Sequence, residues 1–175
     1  MCEVPVFYVT TDRETRLIAD RIVEGLRRHR LDGRPVAIIS EQASHIDWSH
    51  VCASAMVGIV DAGRHSPETV AFARANRAEL SARPSVFLPI VAPQREDFAD
   101  GDAAAGERFV SETGWRPSQT VALKPARAPV RARHVGWRPR HPVVIAESGP
   151  TAPDSVERCV DELAYAVWSS AVSAA

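Results

Sequence analysis

A group of hydroxyl and charged side chains follows the first apolar segment of the chain, in the order Thr10-Thr11-Asp12-Arg13-Glu14-Thr15. Hydroxyls and backbone N–H groups at the start of a helix are donors suited to a phosphate monoester, and the positive end of the helix dipole favours the anion. Thr11 and Glu14 also have the spacing of a capping box, in which Glu14 satisfies the helix start without a ligand. The spacing leaves both a phosphate site and a self-capped helix open.

A second candidate for chemistry is a basic segment. Residues 113–146 contain no Asp or Glu but several Arg residues, and four prolines interrupt the part from 124 to 142. We predict a basic, proline-containing loop at 124–142, in which Arg131, Arg133 and Arg138 face an anion and Trp137 is available for stacking. The alternative is a solvated basic loop whose charge is balanced by acids elsewhere.

The overall composition narrows the function classes. The chain has 175 residues, of which 45% are hydrophobic and 25% charged, which is typical of one soluble globular domain. A net charge of -1 gives no general attraction to nucleic acid, so we expect no nucleic-acid partner. The sequence has neither an apolar run of about 20 residues nor a basic, apolar leader. We therefore predict a cytoplasmic protein without an integral membrane segment.

The cysteines and histidines do not form a recognisable metal or catalytic motif. Cys2, Cys52 and Cys159 are scattered and lack CxxC spacing, so we expect three reduced thiols, with Cys52 an inert core residue. The six histidines form no HExxH or Cys/His cluster, and we predict no metal site. No Ser/His/Asp triad or GxGxxG motif is present, so the catalytic residues remain unknown.

Short apolar runs alternate with amphipathic segments along the chain. The runs predict strands at 4–9, 36–39, 55–60, 85–91 and 120–123, and the segments between them predict helices at about 11–32, 66–80, 103–113 and 155–172. Ser66-Pro67 is a favourable helix start. Buried strands joined by helices predict a three-layer α/β fold with a five-stranded parallel sheet. Ligands of such sheets bind at the carboxyl ends of the strands, here the loops 10–15, 61–65 and 91–97.

Three segments resemble a known family. VFYVTTDRETRLIADRIVEGL, VGIVDAGRHSPETVAFARANRAELSARPSVF and RFVSETGWRPSQTVAL occur in this order and cover most of residues 4–123. They are similar to the flavodoxin-like domain family, and within it to the branch related to menaquinone-dependent protoporphyrinogen IX dehydrogenase. The resemblance implies a single flavodoxin-like domain over residues 1–175.

The resemblance also implies an FMN cofactor. Its phosphate would lie on the first loop, with the isoalloxazine ring between the loops after strands three and four. By position, the phosphate-loop hydroxyls correspond to Thr10, Thr11 and Thr15. The first ring-side loop corresponds to Ala62, Gly63, Arg64 and His65, and the second to Val91, Ala92 and Pro93.

The sequence departs from the family at several of these positions. Asp12 and Arg13 stand where relatives typically carry a hydroxyl residue and a flexible glycine. Asp12 places a carboxylate near the phosphate, and Arg13 either restricts the loop or pairs with the phosphate. Bulk at Val60-Asp61 and Leu88-Pro89 could narrow a ring pocket. His65 either donates to a flavin or substrate or is a solvated loop histidine, and Trp115 is expected to pack a helix-to-strand corner.

Two functions follow from these observations. The first is an FMN-dependent oxidoreductase similar to protoporphyrinogen IX dehydrogenase, with an anionic small molecule such as a porphyrin as partner. In that family a long basic insertion implies contact with a porphyrin or a membrane surface. The second is a flavin-less binding or regulatory module whose phosphate site is closed by the capping box. A homodimer is compatible with either function.

Overall fold

The computed structural model describes residues 2–9, 13–39, 43, 45–61, 63–91, 101–123 and 152–173. The strands are β1 (Glu3–Tyr8), β2 (Asp32–Ala37), β3 (Ser54–Asp61), β4 (Arg64–His65), β5 (Ser85–Val91) and β6 (Gln119–Thr120). The α-helices are α1 (Arg13–Arg28), α2 (Pro67–Ala75), α3 (Arg77–Ser81), α4 (Gly101–Thr113) and α5 (Ala152–Ser173). A short 3₁₀ helix, Trp48–His50, lies in the polar segment before β3.

Five strands pair in parallel in the order β2-β1-β3-β5-β6, and β4 pairs antiparallel with β3. The predicted three-layer α/β fold with a five-stranded parallel sheet is confirmed. Five of the six residues of β1 are buried, as expected for an apolar strand covered on both faces. The antiparallel β4 was not predicted.

Alternate residues of β1 face two separate cores. Val4, Val6 and Tyr8 pack with α1 and α5 on one side of the sheet. Phe7 and Val9 pack on the other side, in a cluster that includes Phe72 of α2 and Phe109 of α4. This alternation is the period-two geometry of a strand, and it explains why β1 is apolar at consecutive positions.

The predicted helix at 66–80 is two helices. The Ser66 hydroxyl accepts a hydrogen bond from the Thr69 amide at 3.2 Å, which confirms Ser66 as the N-cap. The single-helix prediction is wrong at Asn76, whose side-chain amide donates to the Phe72 carbonyl at 3.0 Å and whose backbone leaves the helical region. Asparagine competes for backbone partners in this way and commonly ends a helix turn.

The second strand begins earlier than predicted. β2 covers Asp32–Ala37 and pairs residue by residue with β1, from Glu3 opposite Asp32 to Tyr8 opposite Ala37. Ile39, predicted to belong to the buried strand, is 60% exposed. Because β2 is an edge strand, it accepts polar residues and Pro35, which an apolar-run criterion misses.

Cys2 and Cys52 form a disulfide with a Cα–Cα distance of 5.5 Å, so the prediction of three reduced thiols is wrong for this pair. The two cysteines precede β1 and β3, which are neighbouring parallel strands, and a bridge between Glu3 and Val51 aligns their starts. Cys159 is free and buried, and burial raises the pKa of its thiol to about 12, which keeps it unreactive.

We predict that this disulfide contributes measurably to stability. It joins residues 50 positions apart, and closing a loop of that length is worth at most about 4 kcal/mol. Dithiothreitol should lower the urea midpoint of the wild type. It should leave the midpoint of the Cys2→Ala/Cys52→Ala variant unchanged, because that variant has no disulfide to reduce. Identical wild-type midpoints with and without reductant would contradict a stabilising disulfide.

Candidate functional site

The candidate site lies at the carboxyl edge of the parallel sheet. β2 and β3 pair with opposite edges of β1. The connection from β1 to β2 therefore runs to one side of β1, and the connection from β2 to β3 crosses to its other side. This reversal opens a crevice between the carboxyl ends of β1 and β3, where open α/β sheets bind ligands. Since β1, β3 and β5 are parallel, the structure brings the starts of all three predicted loops to the same edge.

Only part of the predicted site falls within the described residues. Arg13 and Glu14 belong to the first turn of α1, and Val91 is the last residue of β5. Thr15, Gly63, Arg64 and His65 are described in full. The remaining predicted residues lie outside the described part of the chain: Thr10, Thr11, Asp12, Ala62, Ala92, Pro93, Arg131, Arg133 and Arg138.

Thr15 connects the two ends of the predicted phosphate loop. Its side chain is fully buried, and its hydroxyl donates to the Val9 carbonyl at 2.6 Å. Val9 follows β1 and Thr15 lies in the first turn of α1, so this hydrogen bond fixes the distance that residues 10–14 must span. The Thr15 hydroxyl hydrogen is therefore bound to the Val9 carbonyl.

A positive charge lies beside the end of β1. The Arg16 guanidinium donates to the Tyr8 hydroxyl at 2.6 Å and lies 5.2 Å from the Tyr8 ring centre. It also forms an ion pair with Asp20 at 2.9 Å, and Asp20 and Tyr8 together raise the pKa of Arg16. Sequence periodicity placed Arg16 on the polar face of the helix but gave no indication of this contact with β1.

The loop after β3, which was predicted to be the first ring-side loop, is a β-hairpin. Val60 pairs with His65 and Asp61 with Arg64, so β3 turns back directly into β4. Gly63 has a φ of 71°, a left-handed conformation that favours glycine. Its carbonyl accepts a hydrogen bond from the Arg108 guanidinium of α4. Arg108 lies 45 residues further along the chain, and sequence reasoning did not single it out.

His65 stabilises this hairpin from its buried side. Its side chain is 6% exposed, so the alternative of a solvated loop histidine is wrong. Nε2 lies 2.9 Å from the Ala105 carbonyl, which can only accept, so Nε2 carries the hydrogen. The ring packs 4.9 Å from Phe109 and 5.7 Å from Phe87, measured between ring centres. His65 was expected in a loop because its strand is only two residues long.

The protonation of His65 follows from these surroundings. Its Nδ1 is buried and has no hydrogen-bond partner among the described residues, as suits a neutral imidazole. Burial is the largest influence on His65 and lowers its pKa, and the positive charge of Arg108 lowers it further. The hydrogen bond to Ala105 and the negative charge of Glu112 act in the opposite direction. The neutral ring is therefore the form that the folded protein favours.

The two bulky pairs expected to narrow a ring pocket, Val60-Asp61 and Leu88-Pro89, lie at different positions along the sheet. Leu88 and Pro89 lie opposite Val57 and Gly58, whereas the edge is formed by Val60 opposite Val91. Leu88 is fully buried and packs in the core beneath α1 and α5. The bulk at 88–89 therefore fills the body of the sheet, and only Val60-Asp61 lies at the edge itself.

A separate cleft of about 580 Å³ lies between α4 and the edge strand β6. The described residues that line it include Glu107, Arg116 and Thr120, and none belongs to β1 or β3. The cleft is therefore not the crevice at the carboxyl edge. Among the described residues, no group of three His, Cys, Asp or Glu side chains could hold a metal ion, and no helix is long and apolar enough to cross a membrane.

The chain was compared with known proteins. No protein-family model matches it, and no curated protein matches it in sequence. Solved structures do match over nearly the whole of both chains. An oxidoreductase from Corynebacterium diphtheriae has a TM-score of 0.64 at 12% identity, covering 97% of this chain and 98% of the other. Oxidised Flavodoxin 2 from Bacillus cereus has a TM-score of 0.61 at 11% identity, covering 94% and 99%.

A mutant of the flavodoxin from Pseudomonas aeruginosa has a TM-score of 0.60 at 14% identity, covering 94% of this chain and 98% of that one. The chain has a flavodoxin-like fold. At such low identity the likeness concerns the fold alone. In the flavodoxin-like fold, the strand order reverses between the first and third strands, and ligands bind in the crevice at this point. In this chain, Val9, Asp61 and the start of α1 lie at that crevice.

We predict that His65 makes the flavodoxin-like domain less stable in acid. Its pKa is about 6.5 when unfolded and lower when folded, so below pH 6.5 the unfolded state binds more protons and the free energy of unfolding falls with pH. Urea midpoints at pH 7.5 and 5.0 should differ more for the wild type than for His65→Phe, which keeps a ring but does not titrate.

His50 provides the control, because it is an exposed histidine on the 3₁₀ helix. His50→Gln shows how far the replacement of a surface histidine changes the urea midpoint by itself. An equal acid destabilisation of wild type and His65→Phe would contradict a difference in the pKa of His65 between the folded and unfolded states.

Proposed function

We propose that the chain is an FMN-dependent oxidoreductase. The observation that carries this proposal is the meeting of three features at one edge of a flavodoxin-like sheet: the hydroxyl-rich segment before α1, the β3–β4 hairpin and the end of β5. The FMN phosphate would bind to the hydroxyl-rich segment, and the flavin ring would lie between the β3–β4 hairpin and the end of β5. FMN, when bound, supplies the redox chemistry, and the protein orients it.

The start of α1 has the chemistry that a phosphate requires. A 16-residue helix begins at Arg13, and the amides of a first helical turn have no partner within their own helix. The Thr15–Val9 hydrogen bond holds this turn against the end of β1. Arg16, held on Tyr8 at the same end of β1, would contribute a positive charge that its ion pair with Asp20 partly balances. These donors fit a phosphate dianion, with Thr10 and Thr11 as additional hydroxyls.

The hairpin supports a ring-side role. Asp61, Gly63 and Arg64 are exposed at the carboxyl edge, while His65 is buried beneath them. The exposed residues would contact the flavin ring, and His65 would hold their backbone in place through Ala105. The Nε2 hydrogen of His65 is directed at Ala105, so in this geometry the residue does not donate to a ligand.

The proposal also includes a substrate class. The resemblance to the protoporphyrinogen dehydrogenase branch supports an anionic, porphyrin-like substrate, and the basic set Arg131, Arg133 and Arg138 would attract it. Attraction by exposed charges is screened within about 8–10 Å at ordinary ionic strength. This makes the proposal sensitive to salt and therefore easy to test.

A cytoplasmic location and a homodimer are retained as proposals. The Cys2–Cys52 disulfide is of a kind more common in oxidising compartments, so the location needs a direct test. Rapid alkylation of cell extracts, followed by mass spectrometry, would show whether the pair is reduced in the cell. Analytical ultracentrifugation would give the oligomeric state.

We predict that purified protein binds FMN and that the loop residues set its affinity. Binding should quench flavin fluorescence and shift the visible spectrum. Asp12→Thr/Arg13→Gly should tighten binding by about fivefold, because a carboxylate next to the phosphate costs roughly 1 kcal/mol at a solvated site. Arg13→Gly alone separates the effect of the Asp12 carboxylate from that of the Arg13 side chain. This single variant weakens FMN binding if Arg13 pairs with the phosphate.

The flavin-less module predicts a different result. If the wild type binds no FMN but the double variant does, the loop closes the phosphate site. If neither protein binds FMN, the oxidoreductase proposal is rejected. Wild-type protein that purifies with stoichiometric FMN rejects the flavin-less module.

We further predict that Arg131→Gln/Arg133→Gln/Arg138→Gln weakens porphyrin binding and flattens its dependence on salt. The matched control removes three exposed arginines of α1 and α5, Arg21, Arg27 and Arg158, giving the same change in net charge. Titrations at two salt concentrations measure both effects. Equal losses in the two triple variants would mean that only net charge matters, and that the basic segment is not part of the site.

A further inference from the structure

The β3–β4 hairpin has few interactions of its own. It consists of two residue pairs, Val60 with His65 and Asp61 with Arg64, and Gly63 in its turn is exposed. A hairpin this short is not stable by itself in water. Contacts outside the sheet must therefore hold it in the observed position.

Two side-chain contacts between described residues hold the hairpin, and both come from a single turn of α4. The Arg108 guanidinium donates to the Gly63 carbonyl, and the His65 ring donates to the Ala105 carbonyl at 2.9 Å. Residues 105 and 108 are three apart in the helix, so they lie on the same face. The hairpin thus lies along α4 and is held at its turn and at its base.

The two contacts differ in character. The base is buried, because His65 packs against Phe109 and Phe87. The turn is exposed, and Arg108 forms none of the ion pairs seen among the described residues. An exposed arginine loses rotamer freedom when it is ordered, so the contact of Arg108 with a neutral carbonyl opposes a conformational-entropy cost.

The conformation of Gly63 is matched to this contact. Its φ of 71° turns the peptide so that the carbonyl faces Arg108. A Cβ at this position would lie 3.0 Å from Nη1 of Arg108. Glycine therefore serves two purposes here, because it permits the backbone angle and leaves space for the guanidinium.

We propose that Arg108 is a positioning residue for the candidate ligand site, which fixes the exposed turn of the β3–β4 hairpin from helix α4. The inference rests on the proposed function in one respect, since the hairpin is taken as a wall of the flavin site. Arg108 does not contact the flavin; it holds the Gly63 peptide in the orientation to which the ring binds. The site is in this way formed before the ligand arrives.

The experiment compares Arg108→Ala, Arg108→Lys and the wild type, with Arg116→Ala as control. Arg116 is also exposed, but it lines the cleft between α4 and β6 and does not contact the hairpin. Amide hydrogen exchange of residues 63–65 in ligand-free protein is measured by NMR. We expect about fivefold faster exchange in Arg108→Ala, partial recovery in Arg108→Lys, and wild-type rates in Arg116→Ala, with unchanged urea midpoints throughout.

FMN affinity, measured by fluorescence quenching, is the second readout. We expect it to fall about five- to tenfold in Arg108→Ala, to recover in part in Arg108→Lys, and to stay at the wild-type value in Arg116→Ala. Unchanged exchange in Arg108→Ala overturns the proposal, and so does faster exchange with unchanged FMN affinity. If the wild type binds no FMN, the proposed function fails, while the exchange rates still decide whether Arg108 positions the hairpin.

Discussion

The parallel pairing of β1 with β3 is the contact on which the rest of the structure depends. It aligns Val6 with Ala55 and Tyr8 with Val57, and β5 continues the register from Ser54 opposite Ser85 to Val60 opposite Val91. Because three parallel strands end together, three loops that are far apart in sequence begin at one edge. Every candidate site residue that follows a central strand owes its location to this register.

The two ends of the sheet are built differently. At the amino ends of the strands, the Cys2–Cys52 disulfide joins the segments that lead into β1 and β3. There Arg83 also donates to the carbonyls of Val51 and Trp48 and lies 5.2 Å from the Trp48 ring centre. The carboxyl ends are held by non-covalent side-chain contacts, among them Thr15 to Val9, Arg16 to Tyr8 and Arg108 to Gly63. A covalent bond thus joins two strand segments at one end, and the other end carries the loops that a ligand would meet.

Local signals were sufficient for most of the fold. Apolar runs gave β1, β3 and β5, and Ser66-Pro67 gave the start of α2, because these depend on neighbouring residues only. Trp115 was expected to pack a helix-to-strand corner, and it is fully buried against Phe87 and Phe109. The prediction failed for the polar edge strand β2, whose position depends on its pairing with β1 rather than on its own composition.

The site was less predictable because its decisive contacts join distant residues. The disulfide pair is 50 residues apart and the Arg108–Gly63 pair 45 apart, and no local pattern marks either one. His65 illustrates the same difficulty. Its two-residue strand resembles a loop in sequence, and its burial depends on Phe109 of a later helix. Gly63 was the one local signal, since a glycine after Asp61-Ala62 indicates a turn, though not which helix would hold it.

The aromatic cluster beneath the hairpin connects the candidate site to the core. Phe87 of β5 and Phe109 of α4 stack with ring centres 3.9 Å apart and planes 10° apart, and His65 lies against both. A shift of α4 relative to β5 would therefore disturb this stack and the base of the hairpin together. Since Arg108 and Phe109 are adjacent in α4, the same helical turn anchors the buried base and the exposed tip. The position of the β3–β4 hairpin thus depends on how α4 packs on the sheet as well as on the hairpin's own two residue pairs.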